Sequence, residues 1–175
     1  MTEDDIQSKA ARIRLLLLDV DGVLTDGTFV PDSSRETKRF HSRDGIGIVL
    51  ARKAGLKVGL ISGRSSTIVE ARAKELQMSF VRLGVSDKLH ALDEALAQES
   101  CALDEMAYMG DDLPDLGILR RAGLSATVAD APQAVRSRVD YVARANGGYG
   151  AVRELVEVIL ESQGKLDELV ADYLR

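Results

Sequence analysis

Four consecutive leucines, Leu15 to Leu18, run directly into Asp19-Val20-Asp21-Gly22. A short apolar run without alternation fits a strand buried on both faces, as in a parallel sheet. Such a strand needs helices on both sides, which points to a layered α/β fold. Asp19 then stands at the strand's carboxyl end, the edge where open α/β sheets bind their ligands. Gly22 permits a sharp turn just behind the acidic pair. Taken alone, an acidic turn after a strand is unremarkable, because Asp favours turns. The pair gains meaning from the rest of the chain.

Residues 25–44 contain Phe29-Val30, the turn-like Pro31-Asp32-Ser33-Ser34 and then the stretch from Glu36 to Phe40. This reads as a β-hairpin flap with a four-residue loop. Residues 46–54 are expected to form a short helix closed by Gly55, and 56–61 a second strand. Thr67-Ile68-Val69-Glu70 has capping-box spacing before a helix that lines up Val69, Ala73 and Leu76. A third strand is expected at 80–83, and a helix opened by Lys88 carries Leu89, Leu92 and Leu96. A fourth strand follows at 106–109 and a helix at 115–121. Two short strands near 124–128 and 141–143 enclose a helix starting at Pro132, and a helix at 151–160 follows. This alternation predicts a doubly wound, mostly parallel, Rossmann-like sheet in a single domain over 1–175, with the flap at 25–44 and a glycine-rich tail and helix at 146–175. Residues 166–174 read either as a further packing element or as a loose end.

Composition narrows the function. A net charge of −5 and the absence of any Lys/Arg block argue against nucleic-acid binding, and 4% aromatics with no tryptophan leave no stacking platform for bases. The lone Cys101 excludes an intramolecular disulfide framework and a multi-cysteine metal site. No apolar run approaches transmembrane length and the first nine residues lack a secretory pattern, so no membrane association and a cytoplasmic location are expected.

Polar residues collect at the predicted strand ends: Asp19 and Asp21 after the first, Ser62-Gly63-Arg64 after the second, and Gly110-Asp111-Asp112 with Asp115 after the fourth. Lys88 opens the helix after the third. Asp19 and Asp111 are 92 positions apart, yet the topology brings them to one sheet edge. Clustered carboxylates there suit a hard cation such as Mg²⁺. Lys88, Ser62 and backbone amides near Gly22 and Gly63 suit phosphate oxygens. A remaining carboxylate can serve as nucleophile. Each residue has a plainer role in isolation: Ser62-Gly63 as a turn, Lys88 as a solvated charge, residues 110–115 as a capped loop. All of them falling in order at element boundaries favours a site.

This order resembles the haloacid dehalogenase superfamily of phosphohydrolases, whose four motifs match Asp19-Val20-Asp21-Gly22-Val23, Ser62, Lys88 and Gly110-Asp111-Asp112 with Asp115, over about residues 14–168. The resemblance implies that Asp19 attacks phosphorus and that Asp21 acts as general acid and then base. It implies Mg²⁺ held by Asp19, the Asp21 carbonyl and Asp111, with Ser62, Lys88 and Gly63 gripping the phosphoryl group. Asp112 or Asp115 would steady the metal's waters or Lys88. A phosphate dianion repels an anionic nucleophile unless cations intervene, and an aspartyl-phosphate would split one hard displacement into two.

Only 35 positions separate Asp26 from Ile61, and 25 residues lie between Ser62 and Lys88, so neither gap holds a folded cap. Stretches 40–48, 110–115 with 128–131, 147–154 and 163–168 resemble the uncapped branch that acts on phosphorylated acid sugars. That branch implies a homotetramer whose hairpins associate, with neighbouring subunits completing each site and the tail around 147–153 reaching an adjacent one. It also implies hydrolysis of a sugar phosphate, 3-deoxy-D-manno-octulosonate 8-phosphate, in lipopolysaccharide sugar synthesis. Arg64, where relatives acting on nine-carbon acids carry Glu, suits the sugar carboxylate of the eight-carbon acid. Arg43 and Thr25 are further candidates for substrate contact. The alternatives are an N-acylneuraminate 9-phosphate phosphatase and an inactive scaffold of the same fold. A phospho-acceptor receiver domain would need its acidic pair at the first strand end and its acceptor on a later strand. Here Asp4-Asp5 precedes every strand, and the second and third strands end in Ile61-Ser62 and Leu83-Gly84.

Overall fold

The computed structural model describes residues 2–29 and 36–175. Its centre is β1 (Leu15–Leu18), all four leucines buried, hydrogen-bonded in parallel to β2 (Lys57–Ile61) on one side and β4 (Met106–Met109) on the other. β3 (Phe80–Arg82), β5 (Leu124–Thr127) and β6 (Tyr141–Val142) extend this into a six-stranded parallel sheet of order β3-β2-β1-β4-β5-β6. Leu18 pairs with Leu60 and with Met109, so β1, β2 and β4 finish nearly level. The strand order reverses between β1 and β4, which opens a crevice at their carboxyl ends. Asp19 and Gly110 are the first residues beyond β1 and β4, on either side of it.

α2 (Ser42–Lys53) and α7 (Ala151–Ser162) pack against each other, with α1 (Glu3–Ala10) beside α7. α4 (Lys88–Glu99) packs with α5 (Leu116–Leu119) over β2 to β5. Right-handed crossovers place these two groups on opposite faces of the sheet. α3 (Thr67–Glu75), α6 (Gln133–Arg136) and α8 (Leu166–Ala171) complete the set. The sheet and both helical layers meet the expectation of a doubly wound α/β fold, and no cap appears among the described residues.

Several boundaries differ from the sequence reading. α2 starts four residues earlier than expected because His41 caps it, Nδ1 accepting from the Arg43 amide at 3.2 Å. The cap of α3 is Ser66, whose Oγ accepts from the Val69 amide, so Thr67 is already inside the helix. The expected helix at 115–121 is a 3₁₀ turn, Leu113–Asp115, followed by the single turn of α5. α1 was not anticipated: Thr2 and Asp5 close a capping box in a polar segment with little amphipathic pattern. Its Lys9 pairs with Asp140 at 2.7 Å. The tip of the expected hairpin, 30–35, lies outside the described residues, and the flanking residues 26–29 and 36–41 form no strand. The C-terminal stretch is a packing element at its start, with Leu166 and Leu169 against the core, while Leu174 is exposed.

Two stretches singled out in the sequence, 43–48 and 147–154, meet through one buried carboxylate. Asp44 accepts from the amides of Gly150 (3.1 Å) and Arg153 (2.9 Å), capping α7 from α2. Burial pushes its carboxyl group up, against the pull of these amides. The glycines before α7 lie against the loop after β1: Gly148 donates to the Val23 carbonyl at 2.8 Å, and a Cβ on Gly147 would stand 1.8 Å from the Gly22 carbonyl oxygen. Any side chain at 147 would therefore displace the acidic loop.

Candidate active site

A cavity of about 340 Å³ opens over the carboxyl ends of β1, β2 and β4. Asp19, Asp21, Ser62, Gly63, Arg64, Lys88, Asp111, Asp112 and Asp115 all line it. Nine residues scattered over almost 100 positions thus converge because the three strands end level and the loops that follow are short.

Asp19 is held at the end of β1 by its own amide, which donates to the Met109 carbonyl at 2.9 Å. Its Oδ1 lies 3.0 Å from Lys88 Nζ. Lys88 also reaches Asp115 Oδ1 at 2.7 Å, so one ammonium bridges the loops after β1 and β4. Asp115 is saturated: Tyr108 donates its hydroxyl to Oδ1 at 2.6 Å, and the amides of Asp111 and Asp112 donate to Oδ2 at 3.1 and 3.3 Å. Its carboxylate is therefore committed to holding Lys88 and the turn. Burial disfavours the charge on Lys88, but Asp19 and Asp115 outweigh it and hold the ammonium above its usual range.

The remaining carboxylates are crowded. Burial, then the charge of Asp115, pushes Asp19 up to about 6 despite Lys88. Burial, then Asp19, Asp115 and Asp112, pushes Asp111 up to about 7. Gly22, at φ +90°, makes room for Asp111: a Cβ there would lie 2.0 Å from Asp111 Oδ2. The side-chain partner of Asp21 is the ammonium of Lys38.

Ser62 is buried, its amide donating to the Arg82 carbonyl and its Oγ accepting from the Arg64 amide at 3.3 Å. Arg64 sits at the rim, with its guanidinium 4.1 Å above the Phe29 ring. Asp112 caps the turn at 113–115 through the Leu113 amide, 2.7 Å away. Two expected substrate contacts are not brought to this cavity. The Thr25 hydroxyl turns inward, donating to the Val20 carbonyl at 3.4 Å and accepting from the Gly27 amide at 3.3 Å. Arg43 is exposed on the first turn of α2, outside the cavity lining. Within one chain, Thr25 shapes the loop and Arg43 serves solvent.

Two participants escaped the sequence reading. Tyr108 is a fully buried hydroxyl in a strand that ends one residue before Gly110. A tyrosine in such a strand needs a buried acceptor, and Asp115 was within reach, so the signal existed. Lys38 lies among the ordinary charged residues of 36–39 and carries no pattern of its own.

Asp19, Asp111 and Asp115 can each bring one oxygen within 4.8 Å of the other two, with no cysteine or histidine in the group. An all-oxygen donor set with a surplus of negative charge fits a hard divalent cation. Because Asp115 already serves four donors, Asp19 and Asp111 are the free ligands of that set. The sign of the pH dependence follows. Carboxylates raised to about 6 and 7 hold protons in the metal-free fold, so their stabilising effect is complete below the unfolded value near 3.8 and disappears as pH rises through 6 to 7. Metal-free protein is therefore expected to melt lower at pH 8 than at pH 5.5. Saturating Mg²⁺ should raise Tm by several degrees at pH 8 and by clearly less at pH 5.5, at roughly 2–4 °C per kcal/mol for a chain of this size. Thermal melts with and without Mg²⁺ at both pH values check this; an equal shift at both would contradict the crowding argument.

Residues 78–155 match the haloacid dehalogenase-like hydrolase family. The chain is 44% identical over 165 residues to the 3-deoxy-D-manno-octulosonate 8-phosphate phosphatase of Escherichia coli, covering 94% of this chain and 88% of that one. The crystal structure of the Yersinia pestis phosphatase of the same name superposes with a TM-score of 0.92 at 42% identity, covering 94% of this chain and 89% of that one. The Moraxella catarrhalis phosphatase, crystallised with a magnesium ion, a phosphate ion and a KDO molecule, superposes with a TM-score of 0.94 at 40% identity, covering 97% and 98%. With this identity spanning nearly all of both chains, and the acidic, hydroxyl and lysine residues of four motifs converging on one sheet edge, the chain belongs to the haloacid dehalogenase-like hydrolases and groups among them with these phosphatases.

Proposed function

We propose that the chain is a Mg²⁺-dependent phosphomonoesterase that hydrolyses 3-deoxy-D-manno-octulosonate 8-phosphate to the free acid sugar and phosphate. The observation that carries this reading is the Lys88 bridge between Asp19 and Asp115 beside the half-buried carboxylates of Asp21 and Asp111. That arrangement supports the reading of a nucleophile, a fixed cation and a proton carrier around one cavity. Likeness to three phosphatases of that name supports the substrate.

Asp19 attacks phosphorus through the oxygen not engaged by Lys88, and the ester oxygen departs. Asp21 gives that oxygen its proton, so that a sugar hydroxyl rather than an alkoxide leaves. Asp21 then takes a proton from the water that attacks the Asp19 phosphoester, releasing phosphate and restoring the carboxylate. Lys88, the Ser62 hydroxyl and the Gly63 amide hold the phosphoryl oxygens throughout. Asp19, Asp111 and the Asp21 carbonyl would hold Mg²⁺, which when bound would neutralise the carboxylates and stabilise charge on the phosphoryl oxygens. Asp115 fixes Lys88, and Asp112 shapes the turn beneath it.

Arg64 lies at the mouth of the cavity, where a sugar carboxylate would pair with its guanidinium. Phe29, Leu113 and Tyr149 are all more than half exposed, at 59%, 58% and 56%. These apolar side chains are in keeping with a homotetramer in which neighbouring subunits cover the mouth, with Arg43 and the 147–153 tail contributing at that junction. The working location is the cytoplasm, and the whole chain acts as one domain.

The test is phosphate release with Mg²⁺ from the octulosonate 8-phosphate, from N-acetylneuraminate 9-phosphate and from p-nitrophenyl phosphate. The expected result is a preference for the octulosonate by at least about tenfold in kcat/KM, the scale on which a fixed charge pair discriminates. A preference for the nine-carbon acid would keep the chemistry and overturn the role given to Arg64. No hydrolysis of any of the three would leave an inactive scaffold.

A further inference from the structure

Lys38 is the most deeply buried lysine side chain among the described ion pairs, at 3% exposure, and it comes from the segment that returns from the flap. Burying an ammonium group is costly unless it is paired and hydrogen-bonded, so its partners define its role. They are Asp21 Oδ1, in a short charge-assisted contact, and Glu36 Oε1 at 3.6 Å. Glu36 is anchored through Oε2, which accepts from Ser66 Oγ at 2.8 Å, and Ser66 is itself the buried cap of α3. Arg39 adds a contact to Asp26 Oδ2 at 3.0 Å. A chain of contacts thus runs from α3 through Glu36 and Lys38 to Asp21.

This chain fixes one oxygen of Asp21 and leaves the other open. No described residue donates to Asp21 Oδ2, while Asp21 lines the cavity beside Asp19 and Lys88. A carboxyl group on a freely rotating side chain transfers protons poorly, because the donor must stay within about 2.6–3.2 Å of its target. Pinning Oδ1 removes that freedom. We propose that Lys38 is a positioning residue for Asp21: it holds Oδ1 so that Oδ2 faces the ester oxygen of the departing group. This rests on the phosphatase reading above, in which Asp21 protonates the leaving group.

The two kinds of leaving group separate this role from a structural one. A sugar alkoxide needs the proton from Asp21; p-nitrophenolate departs without one. The parameter kcat/KM reports steps only up to phosphoenzyme formation, so the later water attack does not enter. In Lys38→Met, kcat/KM for the octulosonate 8-phosphate is expected to fall by roughly 10²-fold, and for p-nitrophenyl phosphate by under about tenfold. Lys38→Arg, which keeps a donor on a long stem, should recover most of the loss. Equal losses on both substrates would assign Lys38 to phosphate binding or to folding and overturn the proposal, as would no loss on either. Thermal melts of both variants with Mg²⁺ confirm that they fold. If the wild type does not hydrolyse the octulosonate, the substrate reading fails by itself, and the same ratio measured with an alkyl phosphate the enzyme accepts, such as glycerol phosphate, still decides the role of Lys38.

Discussion

Asp19→Asn is expected to lower phosphate release by on the order of 10⁴-fold or more, the scale on which loss of a covalent nucleophile registers. The amide keeps the shape of the side chain and leaves the Met109 contact intact, since that bond uses the Asp19 backbone amide. What it loses is the charge and the attacking lone pair. Stability should move the other way. The Asp19 carboxyl is held up to about 6 by burial and Asp115, so in metal-free protein at pH 8 its ionised form opposes folding, and a neutral amide removes that cost. The variant should melt above the wild type without metal at pH 8, and should gain less from added Mg²⁺ because one ligand is gone. Loss of activity together with a lower melting temperature would instead mark Asp19 as a structural residue. Phosphate assays and melts on the same preparation separate the two.

Lys88→Met should be the second most damaging change, and by a different route. The ammonium sits between two carboxylate oxygens at 2.7 and 3.0 Å, in a pocket where Asp115 is almost fully buried. Methionine fills much the same volume but leaves both carboxylates facing each other, and breaking a buried ion pair from one side costs about 3–5 kcal/mol. Catalytically it removes the fixed positive charge against which the phosphoryl oxygens would rest, an effect of about 10²–10³-fold in kcat. Both losses are therefore expected: a marked fall in Tm and a fall in kcat. Mg²⁺ should restore part of the stability, since it neutralises the same carboxylates, but little of the rate. A variant that melted lower yet kept its kcat would show that Lys88 only organises the site.

The sheet and the heart of the site were legible because they rest on short, strong signals. An unbroken leucine run can be placed in few ways, and the residue after it has nowhere to go but the sheet edge. The same logic worked for Ser62, for Gly110 to Asp115 and for Lys88, each immediately beyond a strand or at a helix start. The misplaced boundaries came from capping, where a single side chain shifts the start of a helix: His41 for α2 and Ser66 for α3. α1 escaped because its helix is set by the Thr2–Asp5 box and by packing on α7, which a polar sequence does not advertise. Lys38 escaped for a related reason. Its burial depends on how the flap returns over Asp21, a tertiary event with no periodicity to reveal it. Thr25 and Arg43 show the converse. Their proximity to the motif in sequence did not bring them to the cavity, because Thr25 folds back on the Val20 carbonyl and Arg43 rides the outward turn of α2.

In the proposed mechanism Asp19 carries the phosphoryl group between substrate and water. A single-turnover experiment mixes excess enzyme and Mg²⁺ with p-nitrophenyl phosphate labelled at phosphorus, whose leaving group departs without the Asp21 proton, quenches in acid within the first turnover and maps the label on the protein. Label is expected on the peptide containing Asp19, in a larger amount in Asp21→Asn, where water attack is slowed, and none in Asp19→Asn. Full phosphate release with no protein-bound label in either the wild type or Asp21→Asn would contradict it and would mean that water attacks the substrate directly.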